Sequence, residues 1–199
     1  MNKTLAELIN QTAEPDATVR VDELDPDLTR EVADLSHTRS RDCLSCLTCS
    51  SGCPFYSAMD YGPHGIMRRV NYGLRREVLE SNTIWLCVGC HTCSACCPMG
   101  IDIAAVMDAL RHIALREGVK PAEPNVLTFH REVLNSIMRY GRTHKLEIML
   151  RYKLHSGTWL KDVGVGLKMM AKHKLDLRPS KIENPDDLSP LFGPIWRGK

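Results

Sequence analysis

The sequence predicts an all-α fold, and three observations carry that expectation. Two cysteine-rich runs of identical spacing sit in the middle of the chain: Cys43, Cys46, Cys49, Cys53 with Pro54, and Cys87, Cys90, Cys93, Cys97 with Pro98. The link between them, residues 54–86, is far longer than a hairpin needs and carries apolar residues at helical spacing. Downstream, apolar side chains again recur every three to four positions, first after Asp102 and then after Pro124.

In chain order, residues 2–10 read as a short helix, with Thr4 and Glu7 matching a capping box. Residues 11–27, with Pro15, Pro26 and many carboxylates, read as a loop or extended arm, and Leu28–Leu35 as one or two helical turns. Pro63 suits a first helical turn, followed by Ile66, Met67 and Val70. Gly73 interrupts, and Leu74, Val78 and Leu79 resume the pattern. Asp102 is the expected N-cap of an amphipathic helix bearing Ile103, Val106, Met107, Leu110, Ile113 and Ala114 on one face and ending at Gly118. After Pro121 and Pro124, helix is expected over about 125–140 with Val126, Phe129, Val133, Ile137 and Tyr140 as its stripe. Residues 145–154 form another apolar segment, and Trp159–Met170 sketch a last helix. The tail from Arg178 mixes four prolines with Phe192, Ile195 and Trp196; it suits either docking along a partner or packing on its own domain. The chain thus divides into an acidic arm (1–40), a cysteine-bearing domain (41–118) and a basic helical extension (119–199) with a proline-rich tail.

Each run has the spacing that holds a [4Fe–4S] cubane through thiolates, the fourth cysteine serving the other cluster in two-cluster proteins. The expected sets are therefore Cys43, Cys46, Cys49 and Cys97 for one cluster and Cys87, Cys90, Cys93 and Cys53 for the second. Structural zinc takes separated ligand pairs rather than a run of four with an out-of-step last member. No signal sequence precedes the thiols, so metal ligation is favoured over disulfides and a cytoplasmic location is expected. Cys96, the ninth cysteine, reads as a thiol that ligates nothing, and His91 as a supporting or exposed side chain. Gly52 and Gly89 are expected to give the loops backbone freedom. Trp85 and Ile84 either shield the second cluster or simply pack the core.

Composition excludes several functions. No stretch of about 18 apolar residues offers a membrane span. Net charge runs from −5 over residues 1–40 through zero over 41–119 to +7 over 120–199, but the basic residues are thinly spread and no nucleic-acid motif accompanies them. Gly164 and Gly166 lack the third glycine of a dinucleotide fingerprint, Met169 standing in its place. No nucleophile–base arrangement, phosphate loop or zinc-helix motif occurs, and electron transfer needs none.

The two runs, the Trp85-Leu86-Cys87 approach and the Cys97-Pro98-x-Gly100-Ile101-Asp102-Ile103 exit together resemble HdrC, the small dicluster iron–sulfur subunit of heterodisulfide reductase, and its bacterial relatives, over about residues 40–118. That resemblance implies an α-helical dicluster ferredoxin domain with two [4Fe–4S] clusters. It also implies an obligate complex in which electrons pass from a flavin-containing subunit to a catalytic, disulfide-reducing one. Succinate dehydrogenase-type subunits carry a further N-terminal cysteine domain, whereas residues 1–40 hold no cysteine; the glycerol-3-phosphate type carries more cysteine repeats downstream, and none follows Cys97. A free dicluster ferredoxin and a peripheral component of a membrane quinone oxidoreductase remain the alternatives.

Overall fold

A computed structural model describes residues 24–156 and the single positions 164, 169, 172 and 182. Among the described residues every regular element is helical: α1 (Leu28–Ser36), α2 (Thr48–Ser51), α3 (Pro63–Tyr72), α4 (Arg75–Glu80), α5 (Thr83–Leu86), α6 (Thr92–Ala95), α7 (Ile103–Arg116), α8 (Pro124–Tyr140) and α9 (Lys145–Ser156). Short 3₁₀ turns lie at Ser40–Asp42 and Tyr56–Ala58. The fold is all-α, as expected. Apart from those single positions, the helices anticipated at 2–10 and at 159–170, and the proline-rich tail, lie outside the described residues. The chain separates into two compact units that divide between Ile113 and Ala114.

In the first unit the apolar face read from the sequence is the buried face. Ile66, Met67 and Val70 of α3 are fully buried, as are Val78 and, nearly so, Leu79 of α4. Ile103, Val106, Met107, Leu110 and Ile113, expected on the inner face of α7, are at most 2% exposed. Burial of each such side chain is worth about 1.5–3 kcal/mol, which is what makes these short helices form at all. Leu28 and Val32 of α1 join the same core, and the Thr29 hydroxyl donates to the Val70 carbonyl (2.9 Å). Residues 24–40 are thus packed into the unit that carries the cysteines.

The link between the runs holds three helices, α3, α4 and α5. Gly73, at φ +75°, ends α3 in the left-handed conformation, and its carbonyl accepts from the Asp25 N–H (2.8 Å). Ser81 then leaves helical geometry before α5. Two reciprocal pairs close the link on itself. The Asp60 and Asn82 backbone N–H groups each donate to the other's side chain (2.8 and 2.7 Å), and the Tyr61 N–H donates to Thr83 Oγ1 while that hydroxyl donates back to the Tyr61 carbonyl. The second run is thereby pinned to the loop that leaves the first.

The second unit contains α8 and α9, which pack together. The buried positions of α8 are Leu127, Glu132 and Ser136, whereas Phe129, expected on the inner stripe, is 46% exposed. Its ring still meets Tyr152 of α9 edge-on, with centroids 5.9 Å apart. Polar pairs also join the two helices: Ser136 Oγ accepts from the His144 N–H (2.8 Å), and Arg139 reaches Glu147 (2.8 Å).

Candidate metal centres

The two cysteine runs fold alike, residue for residue. Ser45 and Gly89, each two positions after the first cysteine, have φ of +56° and +63°; Leu47 and His91, each just before the matched threonine, have φ of +64° and +57°. Both runs then enter a four-residue helix, α2 and α6, and those two helices touch one another. Gly52 has an ordinary φ of −91°, so the expectation of special freedom holds at Gly89 and not at Gly52. The matching position in the second run is Cys96, which shows that a side chain fits there.

Two further matched pairs were not anticipated. Thr48 lies hydroxyl-to-sulfur with Cys46 at 3.3 Å, and Thr92 with Cys90 at 3.5 Å; these contacts hold both thiols below their usual pKa. Ser50 and Ser94, each following the third cysteine, cap the helix that leaves the run. Ser50 Oγ accepts from the His64 N–H (3.0 Å) at the start of α3, and Ser94 Oγ accepts from the Ala104 N–H (3.2 Å) at the start of α7. Ser94 also donates to Asp102 Oδ1 (2.7 Å), the same oxygen that accepts from the Ala105 N–H (3.1 Å), so Asp102 caps α7 as expected. Laying one cysteine run over the other in the sequence would have exposed both pairs.

These loops line two cavities of similar make-up. The first is lined by Cys43, Cys46, Cys49 and Cys97, the second by Cys53, Cys87, Cys90 and Cys93. Each thus brings three cysteines of one run together with the last cysteine of the other. Cys96 lines neither: its Sγ faces the Cys93 and Thr48 carbonyls at 3.5 and 3.8 Å. Trp85 and Ile84 are 2% and 0% exposed but also line neither cavity, so they pack the core. Apart from the sulfurs the walls are mostly apolar, with Leu44, Met67 and Ile101 in the first and Phe55, Val88 and Met107 in the second. His64 lines the first cavity, and its Nε2 is buried with no hydrogen-bond partner. Burial, then the charge of Arg68, hold its pKa below the usual histidine value.

The donor set fits iron–sulfur chemistry. Four thiols around an apolar hollow suit a cubane, in which each thiolate takes a different iron. Among the described residues no three His, Cys, Asp or Glu side chains converge on a site for a single ion. Burial raises the Cys49 thiol to about 11 and pushes Cys87 and Cys93 up as well. Binding iron as thiolate must displace those protons. Arg111 of α7 donates to the Ile84 and Cys87 carbonyls, anchoring the start of the second run, and pairs with Asp108 at 2.9 Å.

Comparison with known proteins agrees with this reading. Residues 42–102 match the 4Fe-4S dicluster domain family. The chain is 32% identical over 111 residues to the HdrC-type iron-sulfur subunit of CoB–CoM heterodisulfide reductase from Methanopyrus kandleri, covering 52% of this chain and 58% of that protein. It is 29% identical over 133 residues to the second such iron-sulfur subunit of Methanocaldococcus jannaschii, covering 63% and 68%. It is 33% identical over 88 residues to the corresponding subunit of the H(2):CoB-CoM heterodisulfide,ferredoxin reductase of Methanothermobacter marburgensis, covering 44% and 48%. The chain therefore spans about half to two thirds of the length of these relatives. No helix among the described residues is long and apolar enough to cross a membrane. A helical fold, a matched pair of four-cysteine cavities, the match of residues 42–102 to the 4Fe-4S dicluster domain family and these likenesses make the chain similar to the iron-sulfur subunits C of heterodisulfide reductase.

Proposed function

We propose that this chain is the electron-relay subunit of a cytoplasmic heterodisulfide reductase-like complex, standing between a flavin-containing subunit and a catalytic, disulfide-reducing one. In this reading Cys43, Cys46, Cys49 and Cys97 hold one cluster and Cys53, Cys87, Cys90 and Cys93 the other. The supporting observation is the composition of the two cavities, each completed by the last cysteine of the opposite run. When bound, the two clusters supply reversible one-electron transfer, whose potential answers to hydrogen bonding and solvent exposure.

The chain's own residues do the rest. The apolar walls bury Cys49 and partly cover Cys43, Cys53, Cys87, Cys93 and Cys97, Thr48 and Thr92 offer hydroxyl donors to thiolates at the exposed Cys46 and Cys90, and the serine caps tie each loop to a buried helix. Each cavity also has an exposed apolar rim: Leu44 is 65% and Leu47 55% exposed at the first, Val88 62% and Phe55 38% at the second. Such side chains suit contact with partner proteins, and two rims suit one donor and one acceptor.

Anaerobic purification from the native host tests both parts. About eight irons per chain are expected, together with stable co-purifying subunits; zinc without iron ends the cluster reading, and a partner-free monomer ends the relay reading. Cys97→Ser is expected to disturb the cluster held by Cys43, Cys46 and Cys49, while Cys96→Ser leaves both intact. EPR of the reduced variants reads the outcome, and loss of the other cluster contradicts the exchange of ligands between runs.

A further inference from the structure

Because the two cavities are near-copies, the chemistry that differs between them is informative. The serine caps set the register of the helices behind them: His64 of α3 matches Ala104 of α7, since each gives its N–H to the matched serine. In the same register Met67 matches Met107, and these two line the first and second cavities respectively. Histidine and alanine therefore occupy equivalent wall positions. The first cavity has a ring nitrogen where the second has a methyl group.

That nitrogen is anomalous as it stands. Nε2 of His64 is buried and meets no hydrogen-bond partner, a situation that protein interiors avoid. Around it the wall is Leu44, Leu47, Met67, Pro98 and Ile101, none of which offers an acceptor through its side chain beyond the weak thioether. The acceptors that a filled cavity adds are sulfurs, and a hydrogen bond to a cluster sulfur stabilises the more negative, reduced state. The second cavity does include a histidine, His91, but its side chain is 64% exposed and its Nδ1 faces Asp102 Oδ1 at 3.7 Å. Water and the carboxylate compete for it. Nor does the Arg111 cation distinguish the second cavity strongly, because Asp108 neutralises it at 2.9 Å.

We infer that His64 donates a hydrogen bond from Nε2 to a sulfur of the cluster in the Cys43–Cys46–Cys49–Cys97 cavity, making that cluster the more readily reduced of the pair. The inference rests on the ligand assignment proposed above. His64 is a positioning and tuning residue, and it leaves the cluster's ligands unchanged. Its effect is on where the electron rests between partners, since two otherwise matched sites would share it equally.

The test uses the full chain with both clusters loaded, in complex if it purifies so. Cys46→Ser first marks which EPR signal belongs to the first cavity; failure of that variant to single out one signal refutes the ligand assignment. His64→Leu is then expected to keep full iron and sulfide content and to shift only the marked signal to a lower midpoint potential. His64→Gln, which keeps an N–H donor, is expected to recover part of that shift. In the unmutated chain labelled with ¹⁵N-histidine, pulsed EPR should detect nitrogen coupling to the marked cluster. Intact signals with unmoved potentials in His64→Leu, a shift of the other cluster instead, or no nitrogen coupling in the unmutated chain would each overturn the inference while leaving the ligand assignment standing.

Discussion

Asp25 and Glu31 both reach the guanidinium of Arg75, Asp25 at 2.5 Å, with side chains only about a quarter exposed. The hydrogen bond from Arg75 is the chief reason that the Asp25 carboxyl lies below its ordinary value of 3.8. A depressed carboxylate pKa means the unfolded chain takes up protons first, so this stabilisation is complete above that value and lost as the pH falls through the lower folded one. Asp25→Asn is therefore expected to cost about 1–2 kcal/mol at neutral pH. The difference from the unmutated chain should hold down to about pH 3.8 and shrink as the pH falls below it; urea unfolding at a series of pH values checks it. Two glycines offer a contrast at the same scale. Both Gly73 and Gly89 have positive φ, but a Cβ at Gly73 would lie 2.3 Å from the Asp25 carbonyl oxygen, whereas at Gly89 it meets nothing within 4 Å. Gly89→Ala should cost about 1–2 kcal/mol for the left-handed backbone alone. Gly73→Ala should cost clearly more, because Asp25 must move as well, and paired urea midpoints would reveal equal costs if that is wrong. Exposed Ser45, at φ +56° in the position matching Gly89, should correspondingly tolerate glycine without loss.

The helices fall into two kinds, and so does their legibility. Helices α3 and α7 could be read from the sequence because their buried positions repeat with the helical period and nothing else competes for them. Leu110→Ala on α7, at a fully buried site, is expected to lower stability by about 2–5 kcal/mol in chemical unfolding. Helices α2 and α6, four residues each, carry no period at all. They exist because cysteine loops with left-handed residues at Leu47 and His91 lead into them, and that geometry follows from the cluster spacing rather than from propensity. The stripe expected on α8 is only half-buried, with Phe129 exposed, while Glu132 and Ser136 are buried beside His155 and His144, which hydropathy does not register. His64 was illegible in the sequence because its meaning comes from a contact between α3 and Ser50 of α2. Ser94→Ala, which strips the Ala104 N–H of its cap, should cost about 0.5–2 kcal/mol. It should also speed loss of iron to a chelator; unchanged release kinetics would show that the cap supports the helix alone.

At the scale of the whole molecule, what the sequence shows and the described residues do not is charge: −5 over residues 1–40 and +7 over 120–199. If those stretches steer partners, association should slow as salt rises from about 0.01 to 0.15 M, over which the screening length falls from about 30 to 8 Å. Stopped-flow mixing with the isolated partner measures this, and a salt-independent rate would assign binding to the apolar rims instead. The spacing predicts exchange of the last cysteines as ligands, and the cavities are lined in that combination; the close likeness of the two cavities needed three dimensions. That exchange carries a consequence for how the protein is made. The first cavity has no complete donor set until Cys97 has emerged from the ribosome, more than fifty residues after Cys43, because the second run supplies its last wall. A nascent chain halted between the runs exposes thiols that can capture iron but cannot finish a site. On the proposed ligand sets, cluster insertion follows synthesis of the whole module rather than of either run alone.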